Sequence, residues 1–301
     1  MSATNTRNFF LARLFQHLRH LPLLAVIVSV MGLMGCQARY IYYPRPYPAN
    51  LEKVLPKVVK PLPFVTGEGQ QVAFWVPPSA GGIPRQIWLG HAGNGSFALD
   101  WLPLALAYPA SDVGFLLVDY PGYGYCEGSS TPGRILANSE GAVVALGHHL
   151  SMSNNEIDAR MCGFGHSLGA ASTLQYAARH PVQRVVIVAP FTSMADMVDQ
   201  VLFWPMHWLL WHRFDNQTSL AELAKRTPPP TVIIIHGTSD EVIPVSMGRT
   251  LAEEYSDFVR LYEIPNGDHN SIPRQSIIDR MMDAPMREGP SQNAEKLAER
   301  E

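Results

Sequence analysis

Residues 161–173 read MCGFGHSLGAAST and change from one backbone pattern to another within a few positions. The apolar run before Gly165 is typical of a buried strand, and the small residues from Leu168 to Arg179 are typical of a helix. At the corner, residues 165–169 match the Gly-x-Ser-x-Gly pattern, in which a tight strand-to-helix turn exposes a serine hydroxyl. The flanking glycines suit a place where strand and helix pass too closely for a Cβ. The stretch therefore predicts a nucleophile elbow at Ser167.

A serine hydroxyl is a weak nucleophile at neutral pH and needs an adjacent base that is itself oriented by an acid. Chains with this elbow place the serine first, then the acid, then the histidine. The apolar strand predicted at residues 231–235 ends in a loop that contains Asp240, and the strand predicted at 258–264 ends in a loop that contains His269. Asp240 and His269 are therefore the candidate acid and base for Ser167.

Other ionisable side chains lie near these positions. Glu241 adjoins the acid but is followed directly by a return into regular structure, and Asp268 is expected to be a turn residue because sequence neighbours rarely face one another across a hydrogen bond. His91, His166 and His236 border the predicted site. None of these histidines follows the acid in chain order, so we expect them to pack or to contact substrate.

The tetrahedral intermediate of acyl transfer needs backbone amides aimed at its oxyanion, and loss of one such donor typically costs on the order of 10²-fold in rate. One donor is the N–H after the nucleophile, which belongs to Leu168. The second is expected from a loop after an early strand, where residues 91–95 read HAGNG. Gly93 is the candidate for this donor, with Asn94 as the alternative.

The bulk composition is that of one large globular domain. The chain has 301 residues, 47% of them hydrophobic and 16% charged, with a formal net charge of -3 and no basic block. This balance argues against a nucleic-acid partner, and no residue spacing indicates a metal or a nucleotide cofactor. Continuous apolar strands alternate with helices from residue 72 onward, which predicts an α/β fold with a mostly parallel sheet covered on both faces. Such sheets place their sites at the carboxyl ends of the strands.

The first 35 residues have the pattern of a signal peptide. Three arginines and no acid precede an apolar run of about 14 residues, from Leu21 to Met34, which is short for a membrane-spanning helix of ~20 residues. The run ends in LMGC, which resembles the lipobox of bacterial lipoproteins and so implies cleavage before Cys36 and lipidation of that cysteine. Gln37 then favours an outer-membrane lipoprotein facing the periplasm. A plain secretory signal and an uncleaved inner-membrane anchor are the alternatives.

The rest of the chain divides by composition. Residues 36–63 are rich in tyrosine and proline and predict a tether that packs partly on the domain, which then covers residues 64–286. Within it, residues 194–223 are rich in tryptophan and methionine and predict either a short helical cap over the site or an ordinary crossover helix. Residues 287–301 form a charged tail. Cys126 and Cys162 are expected to be two buried thiols.

Several segments together resemble the Bem46-like group of α/β-hydrolase serine hydrolases. They lie within residues 86–272 and read DYPGYG from Asp119, GHSLG from Gly165, APFTS from Ala189, RFDN from Arg213, HGTSDEVIP from His236 and GDHN from Gly267. The resemblance implies the α/β-hydrolase fold, with Ser167 as nucleophile, Asp240 as acid and His269 as base. The chain departs from the group at the oxyanion loop, which has an additional Ala92, and at Cys126, where a serine is common.

These features together predict a membrane-tethered serine hydrolase that cleaves carboxylic esters or thioesters through an acyl-serine intermediate. The apolar residues of the 194–223 segment favour a small-molecule substrate with an apolar acyl group. Two alternatives stay open. The chain could be a non-catalytic envelope lipoprotein that uses the fold as a binding module, or a serine peptidase.

Overall fold

Eight strands form one sheet in the computed structural model, which describes residues 37–201 and 206–283. The strands lie in the order β1-β2-β4-β3-β5-β6-β7-β8. The pairs β1–β2 and β2–β4 are antiparallel, and all other neighbours are parallel. The strands are β1 Lys60–Thr66, β2 Gly69–Val76, β3 Gln86–His91, β4 Val113–Val118, β5 Met161–His166, β6 Arg184–Val188, β7 Thr231–Gly237 and β8 Val259–Ile264. The predicted α/β class with a mostly parallel sheet is confirmed.

Helices cover both faces of this sheet. They are α1 at residues 37–41, α2 Leu51–Val54, α3 Leu102–Ala107, α4 Pro132–Leu150, α5 Asn154–Asp158, α6 Leu168–Arg179, α7 Met194–Val201, α8 Asn216–Ala224, α9 Val245–Glu254 and α10 Arg274–Asp283. Helices α4, α6, α8 and α9 pack on one face, while α3 and α10 pack on the other. Because both faces are covered, every residue of β3, β4 and β6 is buried, which explains their continuous apolar sequences.

The first strand, β1, was not predicted. It begins at Lys60, so the folded domain extends beyond the predicted boundary at Phe64. Proline argued against a strand here, yet β1 contains Pro61 and Pro63. The strand lies at the edge of the sheet, where the prolines need not donate an N–H to a further neighbour.

The tyrosine-rich segment before β1 packs on the domain. Tyr42 and Tyr47 are buried. The Tyr47 hydroxyl donates to the buried Asp119 carboxylate at 2.8 Å, and the other oxygen of that carboxylate accepts from the N–H of Ala98 at 2.7 Å. Asp119 therefore fastens the N-terminal segment to the turn that follows β3.

The segment at residues 194–223, for which the sequence predicted either a short helical cap or an ordinary crossover helix, contains two helices, α7 and α8. Helix α8 is a crossover helix, since Leu220 and Leu223 are buried in the core beside α6. The earlier part consists of α7 and a 3₁₀ turn at Met206–Leu209, and it brings Met194 and Met197 to the cavity described below. Residues 202–205 between them lie outside the described part of the chain.

Two predictions about the ends of the chain fall outside the described residues, namely the signal peptide at 1–35 with lipidation at Cys36, and the charged tail at 287–301. Within residues 37–201 and 206–283, no helix combines the length and the apolar character that crossing a membrane requires. Cys126 and Cys162 are buried free thiols, as expected.

Candidate active site

Ser167 lies at the predicted turn between β5 and α6. Its backbone adopts φ 56° and ψ −118°, a conformation that costs a non-glycine residue about 1–3 kcal/mol. The Ser167 N–H donates to the carbonyl of Val188 at 2.9 Å, which ties the turn to β6. A Cβ at Gly165 would overlap the carbonyl of Gly169, and one at Gly169 would overlap the carbonyl of His91. The turn at Ser167 is therefore strained, as predicted, and neither Gly165 nor Gly169 could carry a side chain without overlapping a backbone carbonyl.

The side chains of Asp240 and His269 form a hydrogen bond with each other. His269 Nδ1 lies 2.8 Å from Asp240 Oδ2, and both residues are buried. The other carboxylate oxygen, Oδ1, accepts from the N–H groups of Val242 at 2.9 Å and Ile243 at 2.8 Å. Because an ionised carboxylate can only accept, this contact assigns the proton to His269 Nδ1 and leaves Nε2 as the basic nitrogen.

The loops that carry the acid and the base are joined through their backbones. The N–H of Thr238 donates to the carbonyl of Ile264 at 3.0 Å, and the N–H of Ser239 donates to the carbonyl of Gly267 at 2.9 Å. A Cβ at Gly237 would overlap that same Gly267 carbonyl. The close contact of two glycines lets β7 and β8 deliver Asp240 and His269 to one place.

His236 lies behind the acid, at the end of β7. Its Nε2 is 2.8 Å from the carbonyl of Ile243 and 3.5 Å from Asp240 Oδ2. Since a carbonyl can only accept, Nε2 carries the proton and points toward the acid loop. Burial lowers the pKa of His236, which favours the neutral ring. Of the two roles expected for His236, packing fits this fully buried position better than substrate contact.

His166, directly before the candidate nucleophile Ser167, contacts the candidate base His269. Its Nε2 donates to the backbone carbonyl of His269 at 2.8 Å, and the two ring centroids are 4.7 Å apart. Burial, together with the neighbouring His269, lowers the pKa of His166 to about 4, so the ring is neutral at pH 7. A neutral ring here holds the His269 backbone without adding a charge beside the base.

His91 does not reach the site. It is fully buried, with Nδ1 2.9 Å from Thr173 Oγ1 and Nε2 2.8 Å from Ser139 Oγ. Burial lowers its pKa to about 3. His91 thus has the packing role, and it joins β3 to α4 and α6 beneath the elbow.

The candidate oxyanion donors lie together beside Ser167. Gly93, Asn94 and Leu168 line the same cavity as Ser167. Leu168 is the first residue of α6, so its N–H has no partner within the helix. Within the described part of the chain, the backbone N–H groups of Gly93 and Asn94 donate to no carbonyl. Both amides therefore stay candidates for the second donor.

The carbonyl of Asn94 is held by groups that the sequence did not single out. It accepts from the Tyr123 hydroxyl at 2.6 Å and from the N–H of Tyr43 at 3.2 Å. The Tyr43 N–H also donates to the Tyr123 hydroxyl at 2.8 Å. Arg45 Nη2 donates to the carbonyl of Gly95 at 2.5 Å, and Asn94 Nδ2 donates to the carbonyl of Ile41 at 3.2 Å. These hydrogen bonds hold the oxyanion loop, residues 91–95, against the N-terminal segment, and we call them the brace.

Ser167 and His269 open into a cavity of about 480 Å³ at the carboxyl ends of the strands, a size usual for small-molecule sites. The remaining wall is mostly apolar. It includes Tyr40, Ile41, Phe191, Met194, Met197, Val242 and Ile243. Among the described residues, no aspartate, glutamate, lysine or arginine lines this cavity. The site can therefore accept an uncharged apolar group next to the serine.

Known proteins resemble this chain in sequence and in structure, although no family model matches it. An uncharacterized protein of Mycobacterium tuberculosis is 29% identical over 84% of this chain and 89% of its own. An alpha-beta hydrolase from Vibrio vulnificus superimposes with a TM-score of 0.62 at 14% identity, over 80% of this chain and 88% of its own. An esterase of Pyrococcus furiosus gives 0.60 at 13% identity, over 81% and 98%.

The chain has an α/β-hydrolase fold. In this fold the nucleophile follows a central parallel strand, and Ser167 follows β5 in the middle of the sheet. Asp240 and His269, the candidate acid and base, lie in the loops after β7 and β8. The narrower resemblance to the Bem46-like group stays a prediction.

Proposed function

We propose that the protein is a serine hydrolase that cleaves carboxylic esters or thioesters. The observation that carries the proposal is the relation of three side chains. Ser167 lies on a strained turn at the wall of the cavity, His269 lines the same cavity, and Asp240 holds the ring of His269 from behind at 2.8 Å. These are the positions that a nucleophile, its base and the orienting acid require.

The reaction follows from these positions. His269 Nε2 takes the proton of the Ser167 hydroxyl as its oxygen attacks the acyl carbonyl carbon, and the resulting oxyanion is bound by the N–H of Leu168 and that of Gly93 or Asn94. The tetrahedral intermediate collapses, and His269 gives its proton to the departing alkoxide or thiolate. A water molecule then attacks the acyl-serine with His269 again as base, which releases the carboxylic acid and restores Ser167.

The walls of the cavity support an apolar acyl group. Met194 and Met197 come from α7, and Ile243 comes from the acid loop. Methionine side chains are flexible and fit ligands of varied shape. Burial of each methylene of an acyl chain contributes about 0.8 kcal/mol, so binding should improve as the chain lengthens until the cavity is filled.

The structural neighbours support the reaction class. Two of the similar solved proteins are described as an esterase and as an alpha-beta hydrolase. At 13% and 14% identity they share the fold with this chain, so the ester or thioester substrate is inferred from the cavity.

The place of action is proposed from the N-terminal sequence. A basic segment, an apolar run and Cys36 support a lipid-anchored protein of the cell envelope, facing the periplasm from the outer membrane. Metabolic labelling with a palmitate analogue tests this: wild type should carry the label and Cys36→Ser should not. Equal labelling of both would contradict lipidation at Cys36.

The reaction is tested with p-nitrophenyl esters and acyl thioesters of graded chain length. We expect hydrolysis by wild type that increases from the shortest to intermediate acyl chains and is abolished in Ser167→Ala. A preference for the shortest chain would contradict the acyl-binding role of the cavity wall. Equal hydrolysis by wild type and Ser167→Ala would contradict the proposed reaction.

A further inference from the structure

Four aromatic side chains stand out on the surface of the described chain. Tyr40, Tyr43, Trp208 and Trp211 are exposed by 76%, 50%, 69% and 72%. In residues 37–201 and 206–283, these four are the large exposed aromatic side chains, and they come from two short segments. We call them the aromatic surface. Single exposed apolar residues are ordinary, but a group of large exposed aromatic side chains marks an interaction site.

The two segments of the aromatic surface lie side by side. Gln37 Nε2 donates to the carbonyl of Leu209 at 2.6 Å, and its Oε1 accepts from the N–H of Trp211 at 2.8 Å. The ring of His212 lies edge-on to that of Tyr42, with centroids 5.3 Å apart. These contacts place the two tryptophans next to α1, which carries Tyr40.

The aromatic surface adjoins the mouth of the active-site cavity. Tyr40 is exposed to solvent and also lines the cavity, as does its neighbour Ile41. Met194 and Met197 of α7 also line the cavity, and the N–H of Met194 donates to the carbonyl of Phe214, next to the second segment, at 2.8 Å. Whatever covers the aromatic surface therefore lies directly at the entrance to the cavity that holds Ser167.

The chemistry of the two segments fits the interfacial layer of a bilayer. Tryptophan and tyrosine are enriched where apolar rings meet lipid headgroups. The charged residues of segments 37–47 and 206–213 are Arg39, Arg45 and Arg213, with no aspartate or glutamate. Arginines beside aromatic rings are attracted to anionic headgroups.

The position of the predicted lipidation site in the sequence also indicates that a bilayer covers the aromatic surface. Gln37 belongs to these contacts, and it directly follows Cys36, the residue predicted to carry the lipid. A lipid attached to the residue before Gln37 would bring the membrane next to the aromatic surface. We propose that the aromatic surface lies in the headgroup layer of the membrane and turns the cavity mouth toward the bilayer, so that the substrate is an acyl ester or thioester embedded in lipid. This substrate assignment rests on the proposed hydrolase function.

Fluorescence quenching tests the docking. Full-length protein is reconstituted into phosphatidylethanolamine–phosphatidylglycerol vesicles whose acyl chains are brominated, and quenching of tryptophan fluorescence is compared between wild type and Trp208→Gln/Trp211→Gln. We expect marked quenching in wild type and loss of most of it in the double variant. The matched control is Ile83→Gln, since Ile83 is 67% exposed and precedes the amino end of β3. It should quench as wild type does.

Kinetics on the same samples test the consequence for the substrate. In the double variant, hydrolysis of a long-chain ester embedded in the vesicles should fall several-fold, while hydrolysis of water-soluble p-nitrophenyl acetate should not change. Quenching that is equal in wild type and double variant would overturn the proposal, as would an equal loss on both esters. If wild type hydrolyses neither ester, the proposed function fails, and the quenching comparison still decides the docking.

Discussion

Gly237, the last residue of β7, lies directly against the backbone carbonyl of Gly267, two positions before His269. The two loops that carry Asp240 and His269 are thereby packed backbone to backbone. A Cβ at Gly237 would overlap the Gly267 carbonyl, a Cβ at Gly267 would lie only 3.2 Å from the Gly237 Cα, and two interloop hydrogen bonds flank the contact. The separation of the acid from the base is thus set by two glycines.

Replacement of Gly237 by alanine should push these loops apart. A methyl group in a packed site typically costs about 1–3 kcal/mol of stability, and we expect a loss of that order in the free energy of unfolding. We also expect kcat to fall, because the hydrogen bond between Asp240 and His269 would lengthen. Chemical denaturation and steady-state kinetics measure the two effects.

Gly67→Ala is the matched control for that change, since a Cβ at Gly67 meets nothing within 4 Å. It should leave both stability and kcat near the wild-type values. If Gly237→Ala lost stability but kept its kcat, the contact between the loops would not position the acid and base.

Asp240→Asn should leave the fold intact and remove most of the activity. The asparagine oxygen can still accept from the amides of Val242 and Ile243, but its NH₂ would face His269 Nδ1. That ring would then adopt the other tautomer, with the proton on Nε2, where it cannot accept from Ser167. The corresponding change in a serine protease lowers kcat by about 10⁴-fold, and we expect a loss of 10²- to 10⁴-fold here. Glu241→Gln, at the exposed neighbouring position, should stay near wild type.

Tyr123→Phe tests the brace on the oxyanion loop. It removes the hydroxyl that donates to the Asn94 carbonyl at 2.6 Å and accepts from the N–H of Tyr43. We expect kcat to fall about tenfold with little change in KM, a part of the ~10²-fold that loss of a whole donor costs. A measured drop in stability with an unchanged kcat would contradict the positioning role. In the control Tyr43→Phe, the lost hydroxyl bonds the carbonyl of Tyr40 at 3.2 Å, away from the loop.

The buried His91 should make the fold sensitive to acid. Burial lowers its pKa to about 3 in the fold, against about 6.5 in the unfolded chain. The unfolded chain therefore binds the proton first, so the stability that this neutral ring contributes is complete above pH 6.5 and is lost as the pH falls toward 3. At pH 5 the loss from His91 is about 2 kcal/mol.

Urea unfolding at pH 7.5 and pH 5 measures this loss. Asp119 acts in the opposite direction, because burial raises its pKa to about 6 and the folded protein takes up that proton first. The comparison of wild type with His91→Gln removes this shared contribution. The variant should lose less stability on acidification than wild type does, and an identical loss in both would show that His91 does not contribute to the pH dependence.

Much of the site was predictable from local sequence. The elbow is encoded by a strand pattern, two glycines and a helix pattern within thirteen residues, from Met161 to Thr173. Asp240 and His269 could be chosen because each follows an apolar strand, and parallel strands bring their carboxyl ends to one edge. The positions of the strands from β2 onward followed from their apolar runs, whereas their order in the sheet did not.

The parts that sequence did not reveal depend on contacts between distant segments. The brace on Asn94 joins residues 41–45 to the loop after β3 and to Tyr123, and tyrosine richness alone does not specify a partner. β1 was missed because Pro61 and Pro63 are compatible with a strand only at an edge, and the sheet order that makes β1 an edge is a property of the whole fold. His166 and His236 were expected to pack or to contact substrate, but their hydrogen-bond partners follow only from the assembled loops.

The most direct test of the central claim, that Ser167 is a nucleophile activated by His269, is covalent labelling with a fluorophosphonate followed by mass spectrometry of the digested protein. We predict one adduct on the peptide that contains Ser167 in wild type, none on that peptide in Ser167→Ala, and much slower labelling in His269→Ala. An unlabelled folded wild-type protein, or an adduct that forms equally in wild type and Ser167→Ala, would contradict the account.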